Sequence, residues 1–289
     1  MTDPLDIAPA RFTNAATVTC QICHTRQTAP DLDSAAWRCR MCGQEYRGGS
    51  EAINPSIVLS EKQLAALRSQ AGRDPSGRGS LTTNWWTQTN EKVGEDFLNY
   101  NKDTASRRFT RQLITDWAEN GKISSVLEVA FGGLHEFRAL RPALAAAKVS
   151  YRGIDWTAHF VAHAQREFPE NTWTQGDIVR GVSVEPADLV YSQHMLEHLP
   201  SLEPAFSNML RLATKRLVNI FFIPPREFAG YEVVNWQQYP LYHNTYSTGH
   251  IEQICKANGF TCNWTPFPPN QAGQGLGQDV VLIAERTAA

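Results

Sequence analysis

The chain has 289 residues, 42% of them hydrophobic, and a formal net charge of −2. At about 100–200 residues per domain this allows one to three domains and a sizeable core, and it excludes wholesale disorder. Near-neutral charge argues against a strong electrostatic grip on nucleic acid or an anionic membrane, and the longest apolar stretch, 217–223, is strand-sized where a membrane helix needs about 18 residues.

Residues 1–15, with Pro4 and Pro9 and little periodicity, read as a loose tail. The apolar core of a secretory signal is missing there, so a cytoplasmic location with reduced thiols is expected. A cysteine module follows at 16–50. Cys20-Gln21-Ile22-Cys23 and Cys39-Arg40-Met41-Cys42 each present two thiolates in one turn, and together they can complete a tetrahedral shell around one zinc ion. Trp37 and Tyr46 would shield such a zinc ribbon, and Gly43 lets its second turn close. His24 is a rival ligand, and a dithiol or disulfide is the alternative chemistry. Residues 16–50 hold four arginines against three acids, which is no basic finger, so a folding staple or docking surface is the plainer role.

Residues 51–103 are expected to form a linker and a helical lid region. A capping box at Ser60-Glu61-Lys62-Gln63 opens a short helix, the run from Gly72 to Ser80 is rich in breakers, and Trp85, Trp86, Phe97 and Tyr100 follow. The core spans 104–289. A helix at 104–119 carries Phe109, Leu113, Ile114 and Trp117 as its apolar stripe. Strand and helix then alternate: strands at 125–131, 149–154, 171–175, 188–192, 216–223, 261–265 and 280–284, and helices at 134–148, 157–168, 202–213 and 248–258. The pattern predicts an α/β fold, a Rossmann-like, mainly parallel seven-stranded sheet with helices on both faces. Ligands in such sheets bind beyond the carboxyl ends of the strands. Cys255 and Cys262 read as core residues.

The densest signal is the run from Val126 through Glu128, Ala130, Gly132 and Gly133 to Phe137. An acidic residue within a strand, a glycine-bearing turn and a helix start let backbone approach a nucleotide-like ligand. Gly153-Ile154-Asp155 ends the next strand with a carboxylate able to take both ribose hydroxyls, with Trp156 beside it as a flat face for adenine. Gly176-Asp177-Ile178 sets a further carboxylate at the third strand end. Asp188-Leu189-Val190 leads through Gln193 and His194 to Leu196-Glu197-His198-Leu199.

These residues resemble the class I S-adenosylmethionine-dependent methyltransferases over 104–285. The resemblance implies that Glu128 supports the amino end of the cofactor and that the turn with Ala130, Gly132 and Gly133 passes beneath it. Asp155 would hold the ribose, Trp156 would flank the adenine, Asp177 with Ile178 would bind its amino group, and Gln193 and His194 would lie near the methionine part and the acceptor. The family turn reads acidic-x-Gly-x-Gly-x-Gly. Here Ala130 and Leu134 replace the outer glycines.

Methyl transfer is an in-line displacement that needs alignment, dryness and sometimes a base. His194 and His243 are the candidate bases. The segment 224–247 reads as a substrate insertion, with Arg226 suited to an anionic group and Tyr231, Trp236, Tyr242 and Tyr246 as aromatic wall. The expected reaction is methyl transfer to a small molecule such as a sugar, a nucleotide-linked sugar or a secondary metabolite. The alternatives are a ribosomal-RNA methyltransferase, with nucleic acid met through an Arg107, Arg108 and Arg111 stripe, and a non-catalytic cofactor-binding module.

Overall fold

A computed structural model describes residues 103–199, 202–227, 244–268 and 278–287 in full, and the backbone of the short strands at 17–19, 26–28, 36–38, 45–47, 57–58, 232–234, 236–238 and 241–242. The chain divides into two compact units. One comprises 86–196, 203–225 and 251–289, and the other 1–85, 197–202 and 226–250.

The larger unit is built on a seven-stranded sheet in the order β15-β16-β10-β9-β6-β7-β8. Its strands are β6 (Ser125–Val129), β7 (Ser150–Asp155), β8 (Thr172–Gln175), β9 (Ala187–Gln193), β10 (Ala213–Phe221), β15 (Phe260–Pro269) and β16 (Gln278–Arg286). The first five pair in parallel, while β16 runs antiparallel to β10 and β15 antiparallel to β16. The expected seven strands and mainly parallel order are therefore present. Central β6 and β9 are almost wholly buried because helices cover both sheet faces. The last strand pair is longer than expected. Pro266 and Pro269 stay within β15, which is tolerated because it is an edge strand.

The helices are α1 (Ala105–Glu119), α2 (His135–Ala146), α3 (Ala158–Glu167), α4 (Leu202–Leu212) and α5 (Thr248–Ala257). Thr104 caps α1, its hydroxyl accepting the Arg107 amide at 3.3 Å. The buried face of α1 is rotated from the expected stripe: Ser106, Arg107, Thr110, Ile114, Trp117 and Ala118 are buried, whereas Phe109 and Leu113 are partly buried at its margin. Pro142 lies inside α2, which continues through it.

Beneath α2 and α3 sits an aromatic cluster. Phe137 packs on Tyr151, Phe168 and Trp173 with ring centroids 4.6, 4.8 and 5.2 Å apart, and Phe131 meets Trp173 at 5.0 Å. Gly153 makes room for it, since a Cβ there would lie 2.6 Å from Phe131 and 2.7 Å from Trp173. Cys255 is fully buried and Cys262 half-buried, with their thiols hydrogen-bonded to each other. Both behave as the core residues expected.

In the other unit, β1 (Thr17–Thr19) pairs antiparallel with β2 (Arg26–Thr28), and β3 (Ala36–Arg38) with β4 (Glu45–Arg47), Trp37 standing opposite Tyr46 in register. Cys20, Cys23, Cys39, Cys42 and His24 lie outside the described residues, as do the expected helix after Ser60 and the tryptophans at 85 and 86. The segment at 224–247 holds four short strands that the sequence reading missed: β11 (Glu232–Val234), β12 (Trp236–Gln238), β13 (Leu241–Tyr242) and β14 (Thr245–Tyr246). The strand β11 is flanked by β14 and by β5 (Ile57–Val58). Among the described residues no helix is long and apolar enough to cross a membrane.

Candidate active site

Parallel register brings the carboxyl ends of β6, β7, β8, β9 and β10 to one edge of the sheet: Ile154 pairs with Val129 and Thr174, Ser192 with Val129, and Gln193 with Ile220. The turn after β6 has a left-handed backbone at Ala130 (φ 61°), Gly132 (φ 50°) and Leu134 (φ 62°). Three alternate residues thus hold the conformation that glycine adopts most easily, although only one of them is glycine. Leu134 is fully buried, and this apolar burial offsets the local strain. The expected departure at the outer glycines alters composition, while the backbone path stays glycine-like.

Asp155 closes the turn from below. Its carboxylate accepts the Gly132 amide at 3.0 Å and the Thr157 amide at 2.8 Å. Burial drives its pKa up to about 6 against these two donors. The Thr157 side chain donates to it as well, which leaves one of its four lone-pair sites to accept from a ligand. The Trp156 indole nitrogen is buried without a hydrogen-bond partner among the described residues. Asp177 accepts the Val179 amide at 2.9 Å and faces the Arg180 Nε at 3.4 Å, and burial raises its pKa. Ile178 is buried, and its carbonyl accepts the Asn208 amide at 2.6 Å. Gly133 offers its carbonyl to Arg138 at 2.7 Å.

Glu128 is completely buried. The Tyr151 hydroxyl donates to its Oε2, and its Oε1 has no hydrogen-bond partner among the described residues. Burial pushes its pKa well above the ordinary carboxyl value, and the nearby Glu136 adds to the rise. Glu136, in the first turn of α2, is itself buried, with Arg107 Nη1 at 3.7 Å and Arg111 Nε at 3.0 Å, and it is hydrogen-bonded with Gln193. Gln193 also accepts the Tyr191 hydroxyl at 3.2 Å. Sequence reasoning missed Glu136 and misplaced the arginines. Arg111 also binds Asp103 at 2.7 Å and Arg108 binds it at 2.9 Å, so of the stripe named for the RNA alternative Arg107 is buried on Glu136, Arg111 is shared between Glu136 and Asp103, and Arg108 stays exposed. The signal was present: Arg107 lies three and seven residues before the buried Thr110 and Ile114.

His194 follows β9 in a left-handed conformation (φ 50°), its amide donating to the Ile220 carbonyl at 2.9 Å. Its Nε2 lies 3.5 Å from the Asp279 Oδ1, and its ring meets Phe222 edge-on at 5.5 Å. Asp188, by contrast, works at the opposite end of the sheet. Burial would raise its pKa, but bonds from Lys215, Ser124 and Thr214 outweigh that and hold it at about 2. It is a structural clamp. The 3₁₀ turn Leu196–His198 follows His194, with the Glu197 side chain buried. Of the expected substrate wall, Arg226 is exposed and Tyr246 is fully enclosed. His243 and Tyr231, and the side chains of Trp236 and Tyr242, lie outside the described residues.

The residues at the strand ends suit an adenosyl amino acid. There is a buried orphan carboxylate oxygen at Glu128, a carboxylate with a spare lone pair at Asp155, and a backbone turn whose shape admits close approach. Residues 127–216 match the methyltransferase-domain family. A 1,6-didemethyltoxoflavin-N1-methyltransferase from Burkholderia thailandensis, solved with 1,6-didemethyltoxoflavin and S-adenosylhomocysteine, superposes with a TM-score of 0.51 at 14% identity, covering 83% of this chain and 99% of that one. Magnesium protoporphyrin IX methyltransferase from Synechocystis, solved with S-adenosylmethionine, gives 0.49 at 17%, covering 71% and 95%. An N-methyltransferase from Bradyrhizobium japonicum, solved with S-adenosylhomocysteine, gives 0.46 at 13%, covering 68% and 98%. No curated protein matches the sequence. Residues 127–216 are thus similar to the methyltransferase-domain family, and the fold is the one seen in the Burkholderia methyltransferase.

Proposed function

We propose that the protein transfers a methyl group from S-adenosylmethionine to a small-molecule acceptor. The observation that carries this reading is the buried Glu128 oxygen without a partner, beside a left-handed turn fastened to Asp155. A buried carboxyl in that state is completed by a cationic donor, and the α-ammonium of the cofactor is one. Asp155 takes the ribose hydroxyls, Trp156 flanks the adenine, Asp177 with Ile178 accepts its amino group, and Ala130, Gly132 and Gly133 lie beneath the methionine part beside Gln193. The bound cofactor supplies an electrophilic methyl on a sulfonium centre. We read His194 and His243 as the bases for the acceptor, with Arg226, Tyr231, Trp236 and Tyr242 as acceptor contacts, and Tyr246, being fully enclosed, as support behind them. A sugar, a nucleotide-linked sugar or a secondary metabolite fits the near-neutral charge, and the burial of Arg107 against Glu136, with Arg111 also drawn to it, weighs against RNA.

Calorimetric titration with S-adenosylhomocysteine, followed by transfer of labelled methyl to a panel of small acceptors and to structured RNA, tests the reading. Absence of cofactor binding overturns it. Transfer to RNA alone overturns the acceptor class.

The same proposal includes a structural zinc ion held by Cys20, Cys23, Cys39 and Cys42. What supports it is that each C-x-x-C pair falls in the connection of a two-stranded antiparallel hairpin, β1 with β2 and β3 with β4. Metal analysis of the purified chain should find one zinc per molecule, and chelation should unfold the hairpins.

A further inference from the structure

Asp279 is 173 residues away from Ser106 and 85 from His194, yet the three side chains form one chain of contacts. The reason is topological. Strand β16 is antiparallel, so its first residues return to the edge where the parallel strands end, and Val280 pairs with Phe221. The amino end of α1 reaches the same edge. Asp279 is fully buried, and its Oδ2 accepts the Ser106 hydroxyl. Ser106 lies 2.7 Å from the Thr104 hydroxyl. The single Ser106 proton is committed to Asp279, so Thr104 must donate to Ser106 while accepting the Arg107 amide. Every donor in this line points toward the Asp279 carboxylate. The other oxygen, Oδ1, faces His194 Nε2 at 3.5 Å.

We propose that Asp279 is a positioning residue that, with Ser106 and Thr104 behind it, holds His194 as the Nε2–H tautomer, so that Nδ1 is the base for the acceptor. This rests on the methyl-transfer reading above. The carboxylate serves two ends: at the 3.5 Å ion-pair distance its charge favours the proton on Nε2 in the resting state, and it steadies the imidazolium once a proton arrives. In the reaction the acceptor X–H forms an X–CH3 bond, the sulfonium carbon–sulfur pair returns to sulfur, and the X–H proton goes to His194 Nδ1 and then to solvent. Such a base serves a hydroxyl or an N–H acceptor. A carboxylate acceptor has no proton to lose and gains nothing from it.

The test is imidazole ¹⁵N NMR on the full chain without cofactor, with His194 assigned by the signals lost in His194→Gln. The wild type should carry its proton on Nε2. Asp279→Asn should switch it to Nδ1, because the Ser106 proton claims the amide oxygen and turns the amide NH2 toward His194. Ser106→Ala retains the carboxylate and should keep the Nε2–H form. In the loaded enzyme Asp279→Asn should lower kcat about a hundredfold or more with KM changed less than twofold. A wild-type proton on Nδ1, or His194 signals unmoved by Asp279→Asn, overturns the proposal. If the variant does not fold, the wild-type tautomer alone decides. A wild type that transfers no methyl while showing the tautomer and its switch leaves the dyad standing and removes the functional reading instead.

Discussion

The Gly132 amide donates to the Asp155 carboxylate at 3.0 Å, so the turn after β6 and the end of β7 are fastened by the group assigned to the cofactor ribose. Asp155 therefore has a folding role beside the binding role proposed for it, and cofactor titration reads the second. Asp155→Ala should raise the S-adenosylhomocysteine dissociation constant about a hundredfold or more, because two charge-assisted hydrogen bonds are lost together. Isothermal calorimetry measures this, and an unchanged constant would remove Asp155 from the site.

The same residue makes a pH prediction. Its pKa is raised from 3.8 to about 6 in the folded chain. The folded state therefore binds the extra proton between these values, and stability falls as pH rises through that window, by about 3 kcal/mol from this group. Above pH 6 its contribution is level. Urea unfolding at pH 4 to 7 should show a shallower decline in Asp155→Asn than in the wild type, which isolates the group from other titrations.

Ala130→Gly and Leu134→Gly should have opposite effects. Both residues have positive φ, a strain of about 1 kcal/mol for a side chain. Ala130 is half-buried and has only a methyl to lose, so glycine there should be neutral or stabilising by up to about 1 kcal/mol. Leu134 is fully enclosed, so glycine there should destabilise by about 2–4 kcal/mol despite relieving the strain. Thermal melts of the two variants give the comparison.

Gly153→Ala should destabilise by about 2–3 kcal/mol, since the new methyl meets two core rings from opposite elements. The shift should appear in the denaturation midpoint with the slope unchanged.

Glu136→Ala should cost about 3–5 kcal/mol, because the buried Arg107 loses its counter-charge. Replacing both with apolar residues, Glu136→Leu with Arg107→Met, should recover much of that loss. Additive losses in the double variant would show that the pair is not coupled.

The fold was legible because its signals are local: a buried parallel strand reads as an apolar run, and Gly153-Ile154-Asp155 and Gly176-Asp177 mark where two strands give way to loops. The turn was legible by register even where its glycines are replaced, since Glu128 and Gly132 hold their places. What stayed hidden depends on pairs distant in sequence. Asp279 reads as the polar start of an unremarkable last strand, and nothing near it names Ser106 or His194. Arg107 was misread because a charged residue on a helix is ordinarily solvated, and only the tertiary position of Glu136 explains its burial. The strands β11 to β14 were missed for a related reason. Each is two or three residues long, too short for alternation to show, and β11 is paired by β5 from far upstream.

The order β15-β16-β10 has a consequence for how the chain matures. Strand β15 is synthesised before β16 yet touches the sheet only through it, so until β16 emerges β15 has no docking place and the outer edge of β10 is open. An exposed apolar strand edge recruits other chains. Nascent or truncated molecules lacking the last twelve residues should therefore be prone to aggregation, and they would lack Asp279 as well. Closure of the sheet and completion of the His194 pair are one event, set by the last strand to arrive.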